Sequence, residues 1–255
     1  MGKLRTALAE LGGITAIALD GTLSLRKRPF QGGEFLRQCW FITKVSVVPL
    51  ILIAVPFGMI ITLQVGSFFR QLGAESQIGS ALLLATVREQ APIATTLLIA
   101  GAGGSAVTAD IGSRRIRDEI DAMQVMGVDP MHRLVGPRLL AFTICAIFFV
   151  SIVAVAGILG GWYFAVFVQG GTSGSYFDSL GSLAQLPDFY MMVTKAVVFG
   201  FIAGAVACYK GYTVKGGPKG VGDAVQAAVV ITFLLLFLVN FMLTVAYFNL
   251  IPQKS

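Results

Sequence analysis

The 255-residue chain is poor in charge, because Asp, Glu, Lys and Arg together make up only 13% of it. Cysteine and histidine are scarcer still, with three and one respectively. Cys39, Cys145 and Cys208 lie within or beside apolar runs and lack metal-ligand spacing, and His132 has no cysteine or acidic pair at such spacing. We therefore expect no metal site, and we interpret the cysteines as small apolar packing residues.

Sequence motifs for covalent or nucleotide chemistry are also missing. The phosphate-binding pattern G-x-x-x-x-G-K-[ST] does not occur, and in the glycine-rich stretch "GGPKGVG" Lys219 is followed by glycine. Nothing resembles a nucleophile elbow or a catalytic pair of carboxylates. The sequence predicts a protein that is not an enzyme and binds no cofactor of its own.

Long apolar runs dominate what remains, with 56% hydrophobic residues and a mean hydropathy of +0.81. A helix needs about 20 apolar residues to cross a bilayer. Five runs qualify, at about residues 40–69, 78–109, 134–168, 189–212 and 224–251. We predict an all-α integral membrane protein with five transmembrane helices, packed closely where Gly157 and Gly161, and Gly200 and Gly204, form Gly-x-x-x-Gly pairs.

Basic residues between the runs predict the orientation in the membrane. They are concentrated in the N-terminal segment, in the second connection (Arg114, Arg115, Arg117, Arg133 and Arg138) and in the fourth. The third connection, residues 169–188, contains no Lys or Arg. Because cytoplasmic loops carry the excess of basic residues, we expect a multi-pass plasma-membrane protein with a cytoplasmic N-terminus.

Three regions are expected along the chain. Residues 1–39 form a cytoplasmic segment whose helix lies on the membrane surface, residues 40–251 form the transmembrane domain, and residues 252–255 form a short tail. The surface helix is predicted from one apolar face at helical spacing, made by Leu4, Leu8, Leu11, Thr15 and Ala18.

Residues 113–130, "SRRIRDEIDAMQVMGVDP", form a dense charged island in this apolar chain. The pattern predicts one amphipathic helix over residues 114–126, with Ile116, Ile120, Met123 and Met126 in a stripe. Gly127 and Pro130 are expected to end it. From this pattern alone, a solvated loop helix on the cytoplasmic surface is favoured.

Charged residues inside the membrane are the second unusual feature. Arg88 and Glu89 fall near the middle of the second run, where two charges cost about 5–7 kcal/mol. They either lock helices together or line a cavity for a lipid headgroup or carboxylate. Lys195 either extends to the membrane interface or meets an anionic headgroup, and Asn240 is expected to form an interhelical hydrogen bond.

Three sequence blocks resemble the MlaE/YrbE permease family, closest to its actinobacterial YrbE branch. They are "VREQAP", "DEIDAMQVMGVDP" followed by "LVGPRLLA", and "GYTVKGGPKGVGDAV" followed by "NFMLT". Their order agrees with the family, and the resemblance covers about residues 40–250. It implies the membrane subunit of an ABC transporter that works with MCE (mammalian cell entry) proteins.

The resemblance also implies partners and sites. The charged island becomes a coupling helix that docks on a separate ATPase dimer, which hydrolyses the ATP. The coupling residues would be Arg117, Glu119, Ile120, Asp121, Met123, Met126, Gly127 and Asp129. Arg88, Glu89 and Lys195 would line the substrate path.

A paralogous permease subunit and outer-side MCE proteins complete the expected complex. The expected cargo is a hydrophobic lipid, either a fatty or mycolic acid or a sterol, and import is favoured over export. A membrane scaffold that anchors MCE proteins without transport is the alternative, and coupling to ATP separates the two.

Overall fold

The computed structural model describes residues 2–27, 31–74 and 77–250, and over these ranges the chain is helical and contains no strand. Five helical segments are long and apolar enough to cross a membrane: Gly32–Gln71, Ile78–Ile116, Met131–Val168, Leu186–Tyr212 and Gly217–Asn249. The predicted all-α membrane fold with five spans is therefore confirmed. The tail predicted at residues 252–255 lies outside the described residues.

The helix bounds are as follows. The first two helices are α1 (Gly2–Ser24) and α2 (Gly32–Gln71). The second span is built from α3 (Ile78–Ala85), α4 (Ala91–Leu98) and α5 (Ser105–Ile116), joined by π-helical turns at Thr86–Gln90 and Ile99–Gly104. The helix α6 (Glu119–Val125) follows, and then a π-helical turn (Met131–Val135) leads into α7 (Gly136–Tyr163). A further π-helical turn (Phe164–Val168), α8 (Ser173–Leu180), α9 (Leu186–Tyr212) and α10 (Gly217–Leu250) complete the chain.

Long apolar helices tolerate residues that would break a shorter one. The helix α2 contains both Pro49 and Pro56. It is also continuous from Gly32 across residues 39 and 40, where the boundary between the N-terminal segment and the transmembrane domain was predicted. Glu34 lies in its first turn, where a carboxylate is stabilised by the positive end of the helix dipole. The first membrane helix therefore begins before the apolar run that predicted it.

Two compact units make up the structure. The first comprises Met1–Ser46, Leu97–Ala146 and Val198–Leu238, and the second comprises Val47–Thr96, Ile147–Val197 and Val239–Ser255. In the first unit a Cβ atom at Gly200 would lie 2.7 Å from the Phe142 carbonyl oxygen. In the second unit a Cβ atom at Gly157 would lie 2.9 Å from Gln90 Nε2. The predicted close packing at both Gly-x-x-x-Gly pairs is thus confirmed.

The helix α1 packs within the first unit through the face that contains Ile14, Ile17 and Ala18. A side chain at Gly21 would collide with Leu139 of α7, so that glycine permits the close approach. Of the residues predicted to form the apolar face, Leu8, Leu11 and Thr15 are exposed and Ala18 is buried. The position of α1 on the membrane surface stays a prediction. The side chain of Leu4 lies outside the described part of the chain.

Candidate functional site

The charged island does not form the single helix that its periodicity predicts. The helix α5 ends at Ile116, and α6 begins only at Glu119. Between them Asp118 adopts φ 57 and ψ 15, a left-handed conformation that Asp tolerates better than most residues. The chain therefore bends sharply at Asp118. At its other end α6 stops as predicted, because Gly127 also has a positive φ, of 75.

Ion pairs hold α6 in place across this bend. Glu119 lies 3.6 Å from Nη1 of Arg114 on α5 and accepts a 2.9 Å hydrogen bond from Nε of Arg117. Asp121 is paired with Arg115 of α5. The acidic edge of α6 is thus bonded to arginines of its own chain, which fixes the direction in which α6 leaves α5.

The apolar stripe predicted for the island is divided between interior and surface. Ile120 is fully buried, whereas Met126 is 69% exposed and its neighbour Val125 is 89% exposed. The Nε2 atom of Gln124 also donates a 3.1 Å hydrogen bond to the hydroxyl group of Tyr212, at the end of α9. The helix α6 is therefore anchored at its start and middle, and it presents an apolar tip to the surroundings.

Asp129 was predicted as a coupling residue, and in the structure it binds within the chain. Its Oδ2 atom accepts a 2.7 Å hydrogen bond from Nζ of Lys27, just after α1, and its Oδ1 atom accepts the backbone N–H of Met131. The hydrogen bond from Lys27 lowers the pKa of Asp129, although partial burial opposes this shift. Asp129 therefore ties the end of α1 to the segment that leads into α7.

In the second unit Arg88 lies on the π-helical turn Thr86–Gln90 and forms an ion pair with Asp188 at 2.6 Å. The hydroxyl group of Tyr247 donates a 2.5 Å hydrogen bond to the same carboxylate. The Arg88 guanidinium carbon also lies 5.5 Å from the Tyr247 ring centroid and 5.6 Å from that of Phe248. Arg88 therefore connects the second span to the start of α9 and the end of α10.

Glu89 has different partners. Its Oε1 atom accepts hydrogen bonds of 2.9 Å from Lys195 Nζ and from the Thr244 hydroxyl, and its Oε2 atom accepts one of 2.9 Å from Asn240 Nδ2. Lys195 also donates to the carbonyl oxygen of Arg88 at 2.8 Å. The interhelical hydrogen bond predicted for Asn240 is confirmed. Extension of Lys195 to the membrane interface is wrong, because this residue is only 1% exposed.

These contacts form one polar cluster with balanced charge, which we call the span cluster: Arg88, Glu89, Asp188, Lys195, Asn240, Thr244 and Tyr247. Adjacent helical positions diverge by about 100°, which explains why Arg88 and Glu89 reach separate partners. Paired and hydrogen-bonded charges offset the cost of burial that isolated charges would incur. The sequence alone did not indicate Asp188 or Tyr247, since neither lies in a motif, and Thr244 lies in the block "NFMLT" but was not predicted as a site residue.

The span cluster is open on one side. The side chain of Glu89 is 39% exposed even though it belongs to a membrane-spanning segment. The Oδ1 atom of Asn240 is buried and accepts no hydrogen bond within the described residues. Two oxygen-bearing side chains thus have capacity for a further polar contact. Among the residues that the structure describes, no group of three His, Cys, Asp or Glu side chains is placed to hold a metal ion.

Apart from Tyr247, both regions lie inside a match to a known family. The family model described as permease MlaE matches residues 35–246, which is most of the chain. The chain belongs to the MlaE permease family. The predicted family resemblance is confirmed, and the match covers α2 to α10 but leaves out α1.

Relatives of this MlaE permease occur in bacteria and in plants. A probable ABC transporter permease protein of Rickettsia bellii is 30% identical over 250 residues, 98% of this chain and 96% of that protein. One of Synechocystis is 35% identical over 187 residues, 73% of this chain and 71% of that protein. An Arabidopsis thaliana protein, trigalactosyldiacylglycerol 1, chloroplastic, is 31% identical over 192 residues, 75% of this chain and 55% of that protein.

Proposed function

We propose that this MlaE-family permease moves a hydrophobic lipid, using the energy of a separate ATPase that docks on α6. The family and the ABC transporter relatives imply an ATPase partner. The observation that carries the proposal is the tip of α6, where Val125 and Met126 are largely exposed on a helix that ion pairs connect to α5. A short helix held in this way can transmit displacement, and its apolar tip needs a groove on a partner.

The contacts of the predicted coupling residues divide them into residues that orient α6 and residues that are free to contact the ATPase. Glu119 and Asp121 face Arg114, Arg117 and Arg115 of the same chain. We infer that they orient α6, while Met126, with Val125 and Gly127 beside it, contacts the ATPase. Met123 and Ile120 then support the tip from within, since Ile120 is fully buried.

The span cluster is the proposed polar part of the lipid path. Its open side, at Glu89, offers a carboxylate, the buried and unpartnered Oδ1 atom of Asn240 lies behind it, and Arg88 and Lys195 supply positive charge nearby. The chloroplast relative bears the name of a galactolipid, which supports a lipid as the cargo. We propose a fatty or mycolic acid or a sterol as cargo, with import as the direction.

A second permease subunit is proposed to cover the open side of the span cluster. A carboxylate that is 39% exposed within a membrane span would otherwise face lipid, which is costly. The helix α10, which holds Asn240 and Thr244, also leaves large apolar side chains such as Leu234 and Phe241 exposed. The proposed complex lies in the plasma membrane with its N-terminus in the cytoplasm, and it joins a paralogous permease, the ATPase dimer and outer MCE proteins.

Co-purification tests the docking surface directly. The double substitution Val125→Asp, Met126→Asp should release the ATPase from the membrane complex, because two carboxylates would enter an apolar groove. Leu183→Asp, an exposed leucine between α8 and α9, is the matched control and should retain the ATPase. Retention of the ATPase and of lipid movement in the Val125 and Met126 variant would refute docking through this tip.

The alternative, a membrane scaffold that anchors MCE proteins without transport, predicts a different experimental result. Native mass spectrometry of the purified complex, with its lipid retained, should show lipid whose amount falls when ATP is added. A complex that contains MCE proteins but neither binds lipid nor responds to ATP would establish the scaffold instead.

A further inference from the structure

Arg138 is an unusual residue in the first unit. The sequence places it in a basic connection, yet it lies in the first turn of α7 and is 0% exposed. Its guanidinium group forms an ion pair with Asp110 of α5 and donates a 3.0 Å hydrogen bond to the Leu134 carbonyl oxygen. Its Nε atom has no hydrogen-bond partner among the described residues. The Asp110 carboxylate is thus the main compensation for a buried positive charge.

Asp110 also bonds toward α6. Its Oδ1 atom accepts a 3.3 Å hydrogen bond from Nε of Arg114, whose Nη1 atom lies 3.6 Å from Glu119 at the start of α6. On the far side, Arg138 lies 4.0 Å from Glu34, in the first turn of α2. We call this series the ion-pair chain: Glu119, Arg114, Asp110, Arg138 and Glu34. It connects α6 to α5, α7 and α2 through two hydrogen-bonded pairs that share Asp110 and through longer ion pairs of 3.6 and 4.0 Å at its two ends.

Two ion pairs of the ion-pair chain differ in how readily they can open. The Arg114–Glu119 pair is about one-third exposed, so water can replace part of that contact. The Asp110–Arg138 pair cannot open in the same way, because separation would leave a fully buried arginine without its carboxylate. When α5 moves, Arg138 and therefore the start of α7 must follow.

We propose that Asp110 is a positioning residue that transmits movement of α6 to the starts of α7 and α2. This inference rests on the proposed docking of an ATPase on α6. A second contact of α5 gives an internal comparison, because Gly211 of α9 lies directly against Ile111 and the Thr108 hydroxyl donates to Ala207. The end of α9 should follow α5 by packing alone, whereas α7 and α2 depend on Asp110.

Hydrogen–deuterium exchange of the assembled complex, with and without ATP and vanadate, tests the proposal. In the wild type, ATP should change exchange in α6, in the end of α9, and in the starts of α7 and α2. In Asp110→Asn the change in α7 and α2 should fall about fivefold or more, the lower range of allosteric coupling factors. The changes in α6 and α9 should persist, and Asp110→Glu should restore those in α7 and α2.

Glu10→Gln is the matched control. Glu10 is 40% exposed, close to the 35% of Asp110, and it pairs with Lys210 of α9 in the same unit but outside the ion-pair chain. This variant should leave all four ATP-dependent changes intact. Arg138→Met, which removes the buried charge together with its need for the Asp110 carboxylate, serves if Asp110→Asn does not assemble, and it should give the same selective loss.

The outcomes separate this inference from the proposed function. A normal response of α7 and α2 in Asp110→Asn, or in Arg138→Met where that variant replaces it, overturns the role of Asp110 while leaving docking intact. Absence of any ATP-dependent change in α6 of the wild type overturns the docking proposal, and this inference with it.

Discussion

Removal of Lys195 should destabilise the permease strongly. The ammonium group is buried and makes three hydrogen bonds, to the Arg88 carbonyl oxygen, Glu89 and Thr244. Loss of one partner from a buried ion pair costs about 3–5 kcal/mol. Because the Glu89 side chain is 39% exposed, solvent or lipid headgroups can partly compensate, and we expect about 3 kcal/mol for Lys195→Met.

A double-mutant cycle isolates the pair. Glu89→Gln removes the opposite charge, and the double variant Lys195→Met, Glu89→Gln removes both. We expect the double variant to regain about 2 kcal/mol relative to the sum of the single changes. The assay is reversible unfolding of the purified permease in detergent, and transport is measured in parallel on the reconstituted complex.

Lys210→Met is the control on the same helix. Lys210 pairs with Glu10 at 2.8 Å, but Glu10 is substantially exposed, so this loss should stay below about 1 kcal/mol. If Lys195→Met unfolds like the wild type, the argument from burial is incorrect. Restored transport in the double variant would mark the Lys195–Glu89 pair as a structural lock, whereas stable but inactive protein would place it on the lipid path.

Three further predictions follow from the first unit and from the connections. Glu119→Lys should weaken ATPase retention and disorder α6, because it reverses a charge paired with two arginines, and Glu119→Gln should be milder in both co-purification and exchange of α6. Asp129→Asn should lower the unfolding temperature slightly at pH 7. This difference from the wild type should vanish when the pH falls through the lowered pKa of Asp129, because only the ionised carboxylate stabilises the folded state. A cysteine at exposed Ser175 should react with an impermeant reagent added to intact cells and one at exposed Thr213 should not; the reverse pattern would overturn the orientation.

The features of this protein that depend on local pattern can be predicted without a structure. Apolar run length predicts the five spans, because a bilayer requires about 20 residues for each helix. Glycine at position 127 predicts the end of α6, since its positive φ favours a residue without a side chain. The ordered blocks around Glu89, Glu119 and Lys219 were sufficient to indicate the family.

The pairing of the charged residues depends on how the helices pack, and local pattern does not predict it. Arg88 and Asp188 are separated by 100 residues, and no periodicity links positions so far apart. The bend at Asp118 overrode a continuous helical pattern, and two ion pairs stabilise α6 beyond it. Arg138 shows the same limit, because its sequence neighbours suggest a solvated connection. Burial there depends on a carboxylate from α5, and only packing of the helices brings the two groups together.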